Sequence, residues 1–284
     1  MSETLRLTLV QMTSHNTHAE NIRALEGIAA KAADTGAEMI ALPEAAGLMD
    51  RDKAHAQAQI RAEGEDPFLA ACADAARRHG LWIQAGSTPV RAADGRALNH
   101  GTLIDPTGRI VARYDKIHLF DVFLEGRAPT GESSRYAPGS EAVVADSPWG
   151  GLGLSICYDL RFPHLYRDYA KAGARVMFVP SAFTVPTGRA HWEILLRARA
   201  IETGAFVVAA AQVGTHADGR RTWGHSLVIA PWGDVLADLG GTGPGQITLD
   251  LDLGLVGSAR TQIPSLTNER PYTLKTVSDR TAAE

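Results

Sequence analysis

A thiol, a carboxyl and an ammonium group stand in this chain where strands give way to less regular backbone. Cys157 lies in Gly151-Leu152-Gly153-Leu154-Ser155-Ile156-Cys157-Tyr158-Asp159-Leu160-Arg161-Phe162-Pro163. Leu152, Leu154 and Ile156 alternate with small residues, the period of a strand. Pro163 suits the first turn of a helix that runs on from His164 to Lys171. A cysteine at that junction is held by rigid backbone and faces a helix N-terminus, whose partial charge favours a thiolate. Position alone equally allows a small buried hydrophobe. Glu44 closes the strand expected over 38–42, and Lys116 follows the one expected over 109–114. Taken singly, Glu44 could cap a helix and Lys116 could be a solvated strand end. Together, a thiol nucleophile, a carboxylate to take its proton and a fixed cation for an oxyanion make a cysteine hydrolase that needs no histidine.

Alternating strands and helices must position these groups. A strand over 6–11, a helix over about 17–34 and the strand 38–42 form a βαβ unit with a right-handed crossover. Glu44 then stands at a carboxyl edge, where open α/β sheets bind ligands. Residues 50–80 read as helical, with a second helix opening at Pro67. Strands follow over 81–87, 97–104 and 109–114, the last two joined by the turn Asp105-Pro106-Thr107-Gly108. Residues 118–138 are irregular, and so long a loop in a compact protein is either disordered or functional. Further strands are expected over 141–145, 151–157, 175–179, 206–212, 223–229, 235–239 and 246–251. Helices are expected over 163–173 and 191–203, the latter burying Trp192, Leu195, Leu196 and Ile201. The tail from Leu255 is less regular and is expected to pack across a neighbour. With no linker or repeat, one domain over 1–284 is expected, its core about 5–252 and its C-terminal tail 253–284. Helices outside two face-to-face sheets fit this pattern, and so does a single doubly wound sheet.

The 284 residues are 45% apolar and 21% charged, an ordinary globular composition able to bury a large core. A net charge of −4 gives no electrostatic reason to expect nucleic acid or an anionic membrane as partner. No signal peptide is visible over 1–10, and no window reaches the length of a membrane span. Cys72 and Cys157 cannot build a disulfide framework, and metal-type Cys/His spacing is missing. A reduced, cytoplasmic protein is expected.

Three segments resemble, in order, the motifs of the nitrilase (carbon–nitrogen hydrolase) superfamily: Leu42-Pro43-Glu44, Tyr114-Asp115-Lys116-Ile117-His118-Leu119 and the cysteine segment from Ser155 to Pro163. The resemblance runs from Leu5 to about Ile263. It implies an α-β-β-α sandwich extended by dimerisation, with Glu44 as general base, Lys116 as oxyanion stabiliser and Cys157 as nucleophile. A further family glutamate, which holds the lysine and helps to position substrate, is matched by Glu132. Pro138-Gly139 keeps the family spacing behind it, while Glu125 in the same loop competes for the role.

Phe178 to Glu193 and Arg197 to Thr203, followed by 209–216, are similar to the branch that hydrolyses deaminated glutathione. The ω-amidase branch, acting on α-ketoglutaramate-like acids, shares His191-Trp192-Glu193, and N-carbamoyl amino acids are a further alternative. The implied substrate is a small amide bearing carboxylates, so a cation should line the pocket. Arg161 and Arg189 are the candidates, although Arg161 could instead pair with Asp159. Phe183 and Thr187 are placed at the wall, and the Tyr158 N–H joins Lys116 at the oxyanion. Turnover passes through a thioester, with no metal or organic cofactor. A rival base, His118 or His164, would make a Cys–His hydrolase. Gly153-Leu154-Ser155-Ile156-Cys157 fails as a serine-hydrolase elbow, and Gly151-x-Gly153 lacks the third glycine of a dinucleotide loop. A scaffold that only binds an acid is the non-enzymatic alternative.

Overall fold

The computed structural model describes residues 2–122 and 130–277. Two β-sheets, of ten and six strands among the described residues, form its centre. In the first, Thr4–Met12 pairs in parallel with Met39–Ala41 and Ala211–Thr215, and antiparallel with Gly245–Asp252. Met39–Ala41 continues in parallel to Trp82–Gln84, beyond which Ala97–Ile104 and Ile110–Asp115 run antiparallel. The second sheet runs Val143–Ala145, Gly151–Leu154, Ala174–Phe178, Phe206–Ala209, Leu227–Ile229 and Val235–Asp238.

Side-chain alternation decides what each face meets. Leu5, Leu7, Leu9, Met39 and Ala41 share an apolar layer with Leu152, Leu154 and Val176 of the second sheet. Val10, Met12, Ile40 and Leu42 face the other way, onto Leu25 and Ala29 of helix His18–Asp34 and Phe68 and Cys72 of helix Pro67–His79. Cys72 is thus a core apolar residue, and burial pushes its thiol well up. Helices Pro163–Lys171 and Val185–Thr203 cover the second sheet. The result is the α-β-β-α sandwich.

Local chemistry sets the helix ends. The Asp66 carboxylate accepts from the N–H groups of Phe68 and Leu69, Pro67 occupies the first turn, and Gly80 closes the helix at φ +66°. Helix Val185–Thr203 starts ahead of the expected 191 because Pro186 also suits a first turn. It buries Trp192, Leu196 and Ala200, but Ile201 is 55% exposed, contrary to the expected buried set.

Two expected strands each divide between the sheets. Residues 206–212 separate into Phe206–Ala209 in the second sheet and Ala211–Thr215 in the first. Residues 223–229 do the same, with Arg221–Trp223 in the first sheet and Leu227–Ile229 in the second. Thr88–Arg91, not anticipated as a strand, pairs with Ala97–Ile104. Within 118–138, Asp121–Val122 pairs with Thr130–Gly131, and the 3-10 turn Glu132–Ser134 follows. The C-terminal region opens with a regular helix, Gly254–Gln262, which buries Val256 and Ala259. Among the described residues no helix is long and apolar enough to cross a membrane.

Candidate active site

Backbone constraints aim each reactive side chain. Leu42 and Pro43 carry Glu44 off the end of Met39–Ala41, with the Leu42 N–H held by the Gln84 carbonyl at 3.0 Å. Gly86, at φ +64°, lies so close that a Cβ there would stand 1.9 Å from the Pro43 carbonyl oxygen. Only glycine fits that approach. The Lys116 N–H donates to the Asn99 carbonyl at 3.0 Å, tying the lysine to the neighbouring strand. The cysteine strand ends at Leu154, three residues before the expected end, and Cys157 opens the 3-10 turn Cys157–Arg161. Its N–H donates to the Pro180 carbonyl at 3.0 Å. At φ +53° Cys157 has a left-handed backbone, strained for a residue with a side chain.

Glu44, Lys116 and Cys157 converge with Glu132 in one cavity of about 520 Å³. Lys116 Nζ donates to Glu44 Oε1 at 2.9 Å and to Glu132 at 2.9 and 3.1 Å. Asn99 Nδ2 bridges the same carboxylates, at 3.0 Å to Glu44 and 3.2 Å to Glu132. The second Glu44 oxygen accepts the Ala182 N–H at 2.8 Å, and Glu132 Oε2 accepts the Phe120 N–H at 2.7 Å. Cys157 lines the same cavity, its thiol within electrostatic reach of the Glu44 carboxylate. Lys116 is 2% exposed and Glu44 6%, so these charges act in a medium of low polarity. Glu132 fills the place expected for the second glutamate; Glu125 lies outside the described residues.

Burial alone would raise the Glu44 carboxyl, but Lys116, the nearby Cys157 thiol and the hydrogen bond from Asn99 hold it below the usual carboxylate range. Burial opposes the Lys116 charge, yet Glu44 and Glu132 together raise the ammonium well above an ordinary lysine. For Cys157, burial and the Glu44 charge push the thiol up more strongly than Lys116 pulls it down. The resting site is therefore thiol, carboxylate and ammonium. A helix N-terminus favours a thiolate, but here two carboxylates already surround one ammonium, and a third buried anion is disfavoured. Moving the thiol proton onto Glu44 leaves the total charge unchanged, so a thiolate formed by that transfer adds no net charge to the buried site.

Asp159 takes no part in a pair with Arg161. Its carboxylate, fully buried, accepts from the Tyr114 hydroxyl at 2.7 Å, the Ile156 N–H at 2.8 Å and the His118 N–H at 3.0 Å. His118 Nδ1 lies 2.7 Å from it, and the ring stacks on Phe162 at 3.5 Å. His118 is thus engaged away from the cavity wall, and so is His164, which lies edge-on to it.

Of the side chains expected around substrate, Tyr158, Phe183 and Thr187 line the cavity, whereas Arg161 and Arg189 do not. Arg161 lies over the Tyr158 and Phe183 rings with Nη2 3.2 Å from His191, and Arg189 lies over Trp223. The arginines at the wall are instead Arg51, Arg135 and Arg220. Sequence reading missed these three because they come from separate loops with no motif around them. Asn99 was missed too: its role depends on strand register, which one sequence does not display.

Comparison with known proteins gives the family. The Carbon-nitrogen hydrolase family model matches residues 6–261, and the chain belongs to that family. It is a hydrolase acting on carbon–nitrogen bonds other than peptide bonds. The chain is 42% identical over 262 residues to the deaminated glutathione amidase of Synechocystis sp., covering 90% of this chain and 95% of that one. It is 39% identical over 270 residues to the Homo sapiens protein of the same name, covering 93% and 82%. Among solved structures, the Caenorhabditis elegans NitFhit protein superposes with a TM-score of 0.88 at 36% identity, over 95% of this chain and 66% of that one. An amidase from Nesterenkonia sp. AN1, with acrylamide added at its active-site cysteine, superposes with a TM-score of 0.77 at 27% identity, over 92% and 98%.

Proposed function

We infer that the protein is an amidase that cleaves deaminated glutathione through a thioester on Cys157. The carrying observation is the Glu44–Lys116–Glu132 network in one cavity with Cys157, joined to relatives that bear that activity in their names. Glu44 takes the thiol proton as sulfur attacks the amide carbonyl, then delivers it to the leaving amine. Lys116 holds the developing oxyanion, joined by the Tyr158 N–H, which lies in the first turn after the nucleophile, where helical donors lack an internal acceptor. The Cys157 N–H is already given to Pro180, which favours Tyr158 for that role. Water, activated by the same Glu44, releases the acid. Glu132 and Asn99 fix Lys116 and Glu44 relative to each other. Tyr158, Phe183 and Thr187 form the substrate wall.

The test is product release from deaminated glutathione, α-ketoglutaramate and an N-carbamoyl amino acid. Deaminated glutathione should give the highest kcat/KM. Cys157→Ala should abolish turnover, and Glu44→Gln should lower kcat roughly a thousandfold or more with the fold intact. An active Cys157→Ala enzyme would end the proposal.

A homodimer is also inferred. Ile194 and Ile201 on helix Val185–Thr203 and Trp232 in the adjoining turn are 70%, 55% and 53% exposed. Beside them Val235–Asp238 is the last strand of its sheet; a second copy would cover these apolar side chains. A nucleophile that must stay a free thiol suits a reducing compartment, which supports a cytoplasmic location.

A further inference from the structure

The cavity wall opposite in charge to the catalytic carboxylates has no role in the mechanism above. Arg51, Arg135 and Arg220 all line it. Among the described residues neither Arg51 nor Arg135 has a carboxylate within ion-pair distance, since Arg135 donates only to the carbonyls of Asp50 at 2.9 Å and Arg51 at 3.3 Å. Arg220 lies 3.4 Å from Asp218, its own hairpin neighbour. That hairpin is firmly seated. His216 is buried, its ring 3.0 Å from the Ser14 carbonyl and 2.8 Å from the Thr222 hydroxyl, and Gly219 makes the turn at φ +78°. The Tyr136 phenol also lines the cavity, within electrostatic reach of Arg135, Arg220, Glu44 and Glu132. Asp50, the remaining acid of the wall, is already engaged by the His55 ring at 2.5 Å and the Asp52 N–H at 2.9 Å.

Three arginines on the wall of the cavity that holds a reactive thiol, two with no acid partner among the described residues and the third paired only with its hairpin neighbour Asp218, make a carboxylate receptor. We propose that Arg51, Arg135 and Arg220, with the Tyr136 hydroxyl, bind a carboxylate of the amide substrate and so confine the enzyme to anionic amides. The proposal rests on the amidase reading and replaces Arg161 and Arg189 as the carboxylate-reading residues. Arg135 has a second duty, since its bonds to Asp50 and Arg51 hold the loop that carries Arg51.

Covalent labelling tests this without turnover. Acrylamides add across their double bond: the Cys157 sulfur bonds to the terminal carbon, and the thiol proton ends on the carbon next to the carbonyl. Rates for N-acryloylglycine and N-acryloyl-β-alanine are compared with uncharged N-propylacrylamide, each normalised to free cysteine. The wild-type protein should favour at least one acid by about tenfold, and the preference should shrink as salt rises. Arg220→Gln and Arg51→Gln should each reduce that ratio severalfold, with Arg220→Lys retaining part of it. If Arg135→Gln fails to fold, the other two variants and the wild-type ratio decide. A wild-type ratio no greater than that of free cysteine for both acids would falsify the proposal. So would a ratio that survives in folded Arg220→Gln and Arg51→Gln. Failure to hydrolyse deaminated glutathione would overturn the substrate reading alone, because labelling does not depend on that substrate.

Discussion

The sulfur, the carboxylate and the ammonium at this site share one proton economy. Glu44 is held below the usual carboxylate range while the Cys157 thiol is held above its own. Glu44 therefore stays ionised as pH falls through 4.5, its ordinary value, and takes up a proton only below it. Its folded-state pairing is likewise stabilising above the ordinary value and is lost as pH drops through the depressed one. kcat/KM should stay level from about pH 6 to about pH 8 and show no rise at the ordinary thiol value. Iodoacetamide should inactivate the enzyme at a nearly constant rate over that interval, whereas a free thiol below its pKa gains about tenfold per pH unit. A tenfold-per-unit climb in the enzyme would mean that the thiol ionises to solvent. The three head groups were legible in the sequence because their motifs lie in order. Their charge states were not, since these depend on Glu132, Asn99 and burial acting at once.

At the scale of elements, Asp159 fastens the turn that bears Cys157 to the segment that bears Lys116. It binds Ile156 on one side and Tyr114 and His118 on the other. Asp159→Ala should cost about 3–5 kcal/mol in a denaturant titration, because it leaves buried donors without acceptors. Asp159→Asn should cost less and recover part of kcat. Gly86 does the comparable work for Glu44. Gly86→Ala would place a methyl group against the Pro43 carbonyl at a backbone angle suited to glycine. The expected outcome is a loss of about 3 kcal/mol, with kcat lowered roughly a hundredfold through displacement of the base. Unchanged kcat in a folded Gly86→Ala protein would show that this contact does not aim Glu44. The period-two signal located most strands, and Pro67 and Gly80 marked a helix correctly. It could not show that 206–212 and 223–229 change sheets midway, because a strand leaving one sheet for another keeps its apolar character. Nor could alternation reveal that the cysteine strand ends at Leu154, since Ile156 is as buried as Leu154.

For the whole molecule, Ile201 carries the clearest instruction. Sequence periodicity assigned it to a buried face, yet it stands exposed beside Gly233 in this single chain. Its covering surface is then expected on a second copy. Ile201→Glu should halve the mass measured by light scattering while the chain stays folded, because a charge at a packed apolar contact is poorly tolerated. A mass identical to that of the wild-type protein would place the contact elsewhere. The crossing at Ala210 has a different consequence. Backbone leaves one sheet there and enters the other within a single residue, and it returns between 223 and 227. The two sheets are stitched by their own chain and share one apolar layer, so the melting of either half is expected to draw in the other. Heat or denaturant should open the sandwich in one cooperative step, leaving no partly undone form in which the thiol is bared to chance oxidants.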